Sequence, residues 1–249
     1  MPTYGDQAVV LRKLDYGEAD RIYTLLTRRH GKVGAIAKGV RRSASKLASA
    51  LELYACVEVQ LATGRNLDVL TQVVRLPGPR LEADVERTAH AAVIAEVADR
   101  VTEDRHPVEG VYELTSLALE DLARESQPQR SSAYFLAQAL ELLGWAPNLT
   151  GCAVCERALP PAPAGFAAAV GGFVCGACRE GVPGLIEVSP NALKVLRVAA
   201  TGDIQLYRRL RLEGALLDEV EAVLEAQLEH NLERRLRSLQ FLRRLRALG

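Results

Sequence analysis

Aromatic residues make up only 5% of the chain, with one tryptophan, four phenylalanines and seven tyrosines. The first 80 residues contain four rings, Tyr4, Tyr16, Tyr23 and Tyr54. Recognition led by base stacking therefore has little to work with, and charge must carry more of any polyanion contact. Net charge is also missing: 31 Lys/Arg face 31 Asp/Glu, which excludes a uniformly basic nucleic-acid coat. No apolar run approaches the roughly 20 residues of a membrane helix, so no membrane association is expected. The start, "MPTYGDQAVVLRK", lacks the basic-then-apolar order of a secretory signal, which points to the cytoplasm.

Catalytic signatures are absent too. The sequence has no phosphate-binding G-x-x-x-x-G-K-[ST] loop and no G-x-S-x-G elbow. It lacks the H-x-E and P-C-x-x-C pair of zinc deaminases and a nucleotide-accepting K-x-D-G lysine. His30, His90, His106 and His230 lie in unrelated segments. Acidic pairs such as Glu103-Asp104, Glu120-Asp121 and Asp218-Glu219 read as solvated helix faces rather than Mg²⁺ ligands. Binding outranks catalysis, and no enzyme is expected. A metal-dependent nuclease or transferase is the weakest reading.

What is present is an uneven distribution of charge. Residues 1–80 hold 13 Lys/Arg and 7 Asp/Glu, a balance of +6; the other 169 hold 18 and 24, a balance of −6. Arg28, Arg29, Lys32, Lys38, Arg41, Arg42 and Lys46 follow one another with no acidic residue between them. A basic first part and an acidic remainder suggest a polyanion partner on one side only, although a solvated loop has the same composition.

The first 76 residues read as five short strands: "QAVVLRK", "RIYTLLT", "KVGAIAK", "LELYACVEVQLAT" and "NLDVLTQVVRL". His30-Gly31 and Gly64-Arg65-Asn66 mark hairpin turns. Five strands in this length suit a small closed barrel, an OB-fold or an SH3-like barrel. After Pro77-Gly78-Pro79 the spacing becomes helical. Expected helices include one opening at Pro107, one capped by Ser131 or Ser132 and ended by Gly144, and one capped by Ser189. A last helix runs from Glu213 almost to the end, its leucines forming core. The fold class is α+β: an N-terminal small β-barrel, residues 1–78, then a helical domain, 79–249, with a four-cysteine zinc module inserted at about 150–182.

Cys152, Cys155, Cys175 and Cys178 form that module: C-x2-C, nineteen residues, C-x2-C. Each pair turns two thiolates toward one ion, and four thiolates close a tetrahedral zinc shell with no position left for substrate. The ion, Zn²⁺, is then structural. A reducing cytoplasm argues against disulfides. The Pro-rich stretch through Pro160, Pro161 and Pro163 reads as a mobile linker, and Cys56 as a packing residue without chemistry.

A basic barrel, a helical body and an inset zinc module resemble, in that order, the bacterial recombination-repair family RecO. The specific match is the opening, with "YGEAD" at 16–20, "LLT" at 25–27, "HGK" at 30–32 and "AKGVRR" at 37–42. "LRSLQFL" at 236–242 is similar to the family's ending, although the glycine expected shortly before it is absent where "HNLERR" stands. The resemblance spans essentially the whole chain. It implies that the barrel at 1–78 is an OB-fold joined to a helical domain carrying the zinc module, and a DNA repair and homologous recombination mediator without catalytic turnover, working in the bacterial nucleoid. Such a protein binds single- and double-stranded DNA and anneals complementary strands. With RecR it loads RecA onto DNA coated by single-stranded-DNA-binding protein. Lys38, Arg41, Arg42 and Lys46 would follow phosphates, extended by Arg28, Arg29 and Lys32, with Tyr16 and Tyr23 as candidate stacking rings. The arginines near the end, Arg234, Arg235, Arg237 and Arg243, would meet the acidic C-terminal tail of the single-stranded-DNA-binding protein. The competing reading is a protein–protein adaptor that never touches DNA.

Overall fold

The computed structural model describes residues 2–42, 47–77, 81 and 84–247. Five strands form a closed barrel: β1 (Thr3–Tyr16), β2 (Asp20–Thr27), β3 (Gly31–Ala37), β4 (Cys56–Ala62) and β5 (Asp68–Arg75). The order around it is β1-β2-β3-β5-β4, and β4 returns to β1. Only the β3–β5 contact among these is parallel. This is the OB-fold architecture expected from the strand count. A register shift between Val10 and Arg12 bends β1, which pairs with β4 through its first half and with β2 through its second. Alternate residues point inward, as the period of two requires. Ala8, Val10, Tyr23, Leu25, Val33, Ala35, Val57, Val59 and Leu61 are all buried in the barrel core.

The fourth strand is shorter than its alternation suggests. It starts at Cys56, because Tyr54 takes φ +67° and donates its N–H to the Val10 carbonyl at 2.8 Å. That turn breaks the pattern begun at Leu51.

Two helices follow the barrel, α1 (Val85–Val101) and α2 (Val111–Arg124). Asp84 caps α1 by accepting from the Arg87 N–H at 3.0 Å. Pro107 does not open α2; Gly110 does. The preceding residues run beside β3 instead, where the Arg105 N–H donates to the Lys32 carbonyl at 2.8 Å. Gly31 is required there. It has φ +68°, and a Cβ would lie 2.5 Å from the His106 backbone.

Contacts divide the chain into two compact units, residues 1–128 with 236–249, and residues 129–235. The second contains α3 (Pro128–Leu142) for all but its first residue, α4 (Pro190–Ala200), α5 (Ile204–Arg208) and α6 (Ala215–Asn231). It also holds a three-stranded sheet of β6 (Ala164–Ala167), β7 (Gly172–Val174) and β8 (Ile186–Val188), ordered β7-β6-β8. α3 opens at Pro128, not at Ser131 or Ser132, which are buried inside it. Gly144 ends the segment at φ +70°, and Ser189 caps α4 as expected, accepting from the Ala192 N–H at 3.1 Å. The stretch read as a Pro/Ala linker leads directly into β6, whose four residues are all buried. The Phe166 and Phe173 rings meet there at 5.2 Å.

The long last helix is in fact two. α6 ends, Glu233 adopts φ +53°, Leu236 is extended, and α7 (Arg237–Arg246) begins. The position is within the segment where the family pattern calls for a glycine. Glutamate takes the left-handed conformation in its place, at a cost of about 1 kcal/mol.

Candidate nucleic-acid interface and metal centre

Of the seven cations singled out in the sequence, the six among the described residues fall at opposite ends of β3. The six steps from Gly31 to Ala37, at about 3.3 Å each, separate those ends by about 20 Å. At the far end, the chain leaves β3 through Lys38, Arg41 and Arg42, all exposed. This turn is held against the β1–β2 loop. The Gly39 N–H donates to the Asp20 carboxylate at 2.7 Å, and the Arg41 N–H to the Ala19 carbonyl at 2.9 Å. Arg41 also reaches Asp15 at 3.4 Å and the Gly17 carbonyl at 3.3 Å. Three cations are thus presented from a braced turn beside the tip of the β1–β2 hairpin. Lys46 lies outside the described residues.

At the near end, the cations are engaged. Arg28 pairs with Glu113 of α2 at 2.9 Å. Arg29 donates to the Gly5 carbonyl and approaches the buried Asp6 at 3.4 Å. His30 shares Asp6 at 2.6 Å and its ring meets that of Tyr4 at a 46° tilt, with centroids 4.4 Å apart. Beside them Asp68 takes Tyr4 at 2.5 Å and Arg105 at 2.7 Å. Burial raises the Asp68 carboxyl, but those two partners and the Gly64 N–H outweigh it and hold the group below its ordinary value.

Lys32 is the most enclosed of the six candidates among the described residues. Its ammonium donates to the carbonyls of Asp99 and Thr102 at 2.7 and 2.8 Å, and pairs with the Asp99 carboxylate at 3.2 Å. It closes the C-terminal end of α1, where free carbonyls favour a cation.

The two candidate rings separate. Tyr23 is wholly buried in the barrel core, whereas Tyr16 is 55% exposed at the end of β1. Leu14 on the same strand is 66% exposed. Sequence reasoning missed Arg105, because no local pattern reveals that a residue before α2 returns to the start of β5.

In the second unit the four cysteines converge. Their sulfurs all lie within 4.8 Å of one another, the only such cluster of potential metal ligands among the described residues. Cys155 and Cys175 Sγ are 3.9 Å apart. The N–H groups of Val154 and Cys175 point at Cys152 Sγ at 3.5 and 3.4 Å. Burial raises the Cys152 thiol, yet hydrogen bonds from the backbone of Cys155, Cys175 and Val154 bring it down to about 6. Cys178 is pushed up to about 12, chiefly by Cys155 and Cys175. Thiolates packed this closely repel, and a bound cation removes that conflict. The cluster can hold a metal ion.

The four C-terminal arginines are divided between the two units. Arg234 and Arg235 end the second unit, while Arg237 and Arg243 belong to α7 in the first. All four are exposed.

Two family models match the chain. The model described as recombination protein O N terminal covers residues 1–76, which is the barrel. The model described as recombination protein O C terminal covers residues 82–240, spanning the helices and the cysteine cluster.

Proposed function

The chain belongs to the recombination protein O family, with a role in DNA repair and recombination, and from that premise we propose that it is a non-enzymatic recombination mediator. It binds single- and double-stranded DNA and anneals complementary strands. With RecR it helps RecA onto DNA coated by single-stranded-DNA-binding protein, whose acidic tail is a further partner. Residues 1–78 serve as the nucleic-acid-binding domain and 79–249 as the helical domain. The observation that carries this reading is the match of the N-terminal family model to a closed barrel that presents Lys38, Arg41 and Arg42 from one braced turn.

Phosphates would be followed by Lys38, Arg41, Arg42 and Lys46, with Tyr16 able to offer a ring nearby. Arg28, Arg29 and Arg41 each already face a carboxylate, so the larger share is expected from Lys38 and Arg42. Little sequence preference and a steep dependence on salt are expected. The metal is Zn²⁺ in a structural role. A tetrahedral zinc with bonds of about 2.3 Å has sulfur–sulfur edges of about 3.8 Å, close to the 3.9 Å between Cys155 and Cys175. Bound there, it supplies cross-linking of two loops and no chemistry.

The test is annealing of two complementary oligonucleotides across a salt series without nucleotide, by wild type and by the Lys38→Ala/Arg41→Ala/Arg42→Ala variant. Three lost phosphate contacts should lower the single-strand salt slope by about 2. Unchanged affinity and slope in the variant would remove this turn from the interface. No binding by the wild type at low salt would favour the adaptor reading instead.

A further inference from the structure

The helix α7 carries Arg237, Arg243, Arg244 and Arg246 and no acidic residue. Its inner face is packed: Ser238, Leu239 and Leu242 are buried. Arg246 is close enough to α1 to lower the pKa of the buried His90. Its outer face is different. Phe241 is 52% exposed, the one exposed large apolar side chain among the described residues of α7. Arg237 stands one turn before it and Arg244 one turn after, so the helical repeat places all three on one stripe. The two arginines are about 10 Å apart along the axis.

The stripe is anchored to α1 and continues toward the barrel within the same compact unit. Glu96 of α1 accepts from the N–H groups of Arg237 and Ser238 at 3.3 and 2.8 Å, which closes the open end of α7. The same carboxylate faces Arg100 at 3.6 Å. The residue before Arg100, Asp99, is met by Arg12 of β1 at 3.5 Å, and the Arg12 side chain is largely exposed. Arg12, Arg100, Arg237 and Arg244 therefore form a basic path from a barrel strand across the end of α1 to α7, with one exposed ring at its far part. Both carboxylates along it are occupied: Glu96 by two amides and the Arg100 guanidinium, and Asp99 by Lys32 and Arg12.

We propose that the outer face of α7, Arg237 with Phe241 and Arg244, is a second contact surface for single-stranded nucleic acid, approached along Arg100 and Arg12. Guanidinium groups take phosphates, and the ring offers a face on which a base stacks. The residue types distinguish this ligand from an acidic peptide. A peptide with a hydrophobic end needs an apolar recess, but Leu239 and Leu242 beside the ring are closed in the interior. A base requires only the exposed face. The inference rests on the reading that the protein binds DNA, and adds a surface separate from the turn at 38–42. Two such surfaces on one chain would bring two like-charged strands together, which annealing demands.

The experiment uses full-length protein and a fluorescent oligothymidylate, titrated across a salt series. Arg237→Ala/Arg244→Ala should lower the salt slope by about 1.4, the value for two lost contacts on a single strand. Phe241→Ala should weaken binding about ten-fold with the slope unchanged, and Phe241→Trp should restore it. Circular dichroism confirms that each variant folds. Photocrosslinking of an iodouracil-bearing strand should label the peptide containing Phe241. If oligonucleotide affinity and slope stay at wild-type values in these variants while the 38–42 triple variant loses binding, DNA binding stands and the α7 surface falls. If the α7 variants instead lose only an acidic peptide, the face is a protein site and the proposal is overturned. No binding by wild type refutes both readings at once.

Discussion

Replacing Lys32 by methionine separates architecture from DNA contact at a residue whose sequence context suggested the latter. Only 16% of the side chain is accessible, and its partner Asp99 is 9% accessible. The substitution preserves length and apolar stem while deleting three interactions, two to α1 carbonyls and one to a carboxylate. Removing one member of a buried ion pair costs about 3–5 kcal/mol. Arg12 still reaches Asp99 from its other oxygen at 3.5 Å, from an exposed position, so the lower part of that range applies, about 3 kcal/mol. Urea unfolding followed by far-ultraviolet circular dichroism measures it. A Lys32→Met/Asp99→Leu double variant should recover most of the loss, because no stranded charge remains. Oligonucleotide binding at low salt, under conditions where the variant is folded, should keep its salt slope. A variant of wild-type stability whose salt slope falls by about 0.7 would show Lys32 facing phosphate and would refute this account of how α1 is held.

Two further predictions concern the metal and pH. Purified protein should carry one tightly held zinc per chain; Cys152→Ala should lose it, with amide protection falling across residues 150–182, and full metal content in that variant would show a different ligand set. His90 is fully buried, and burial followed by the charge of Arg246 brings it down to about 3. The unfolded chain takes up the proton near 6.5 while the folded one resists, so this stabilisation is complete above about pH 6.5 and is lost as pH falls towards 3, by up to about 1.4 kcal/mol per pH unit. His90→Leu should flatten the stability profile between pH 6.5 and 4; an unchanged slope would place its origin elsewhere.

The barrel was legible because strand periodicity is a local property. Val33, Ala35 and Ala37, or Val57, Val59 and Leu61, declare their inner face in a few residues, and the structure buries all six. The cysteine cluster was legible for a similar reason: the C-x2-C pairs fix local turns, and converging sulfurs need only the intervening chain to return. Local signals failed wherever a distant element decided the outcome. Pro107 looked like a helix start, but residues 103–106 run beside β3, so α2 waits for Gly110. The leucine spacing through residues 217–245 is continuous, yet the helix breaks at Glu233, and α7 packs on α1 with Glu96 as its cap. The cations show the same division most clearly. Arg28, Lys32 and Arg41 are indistinguishable in composition and belong to one acid-free run. One faces Glu113, one closes α1, and one braces a solvent-facing turn beside Asp15. A charge run states how much positive potential a segment carries. Which of its charges remain available to a polyanion depends on the carboxylates and carbonyls that later parts of the chain bring to it.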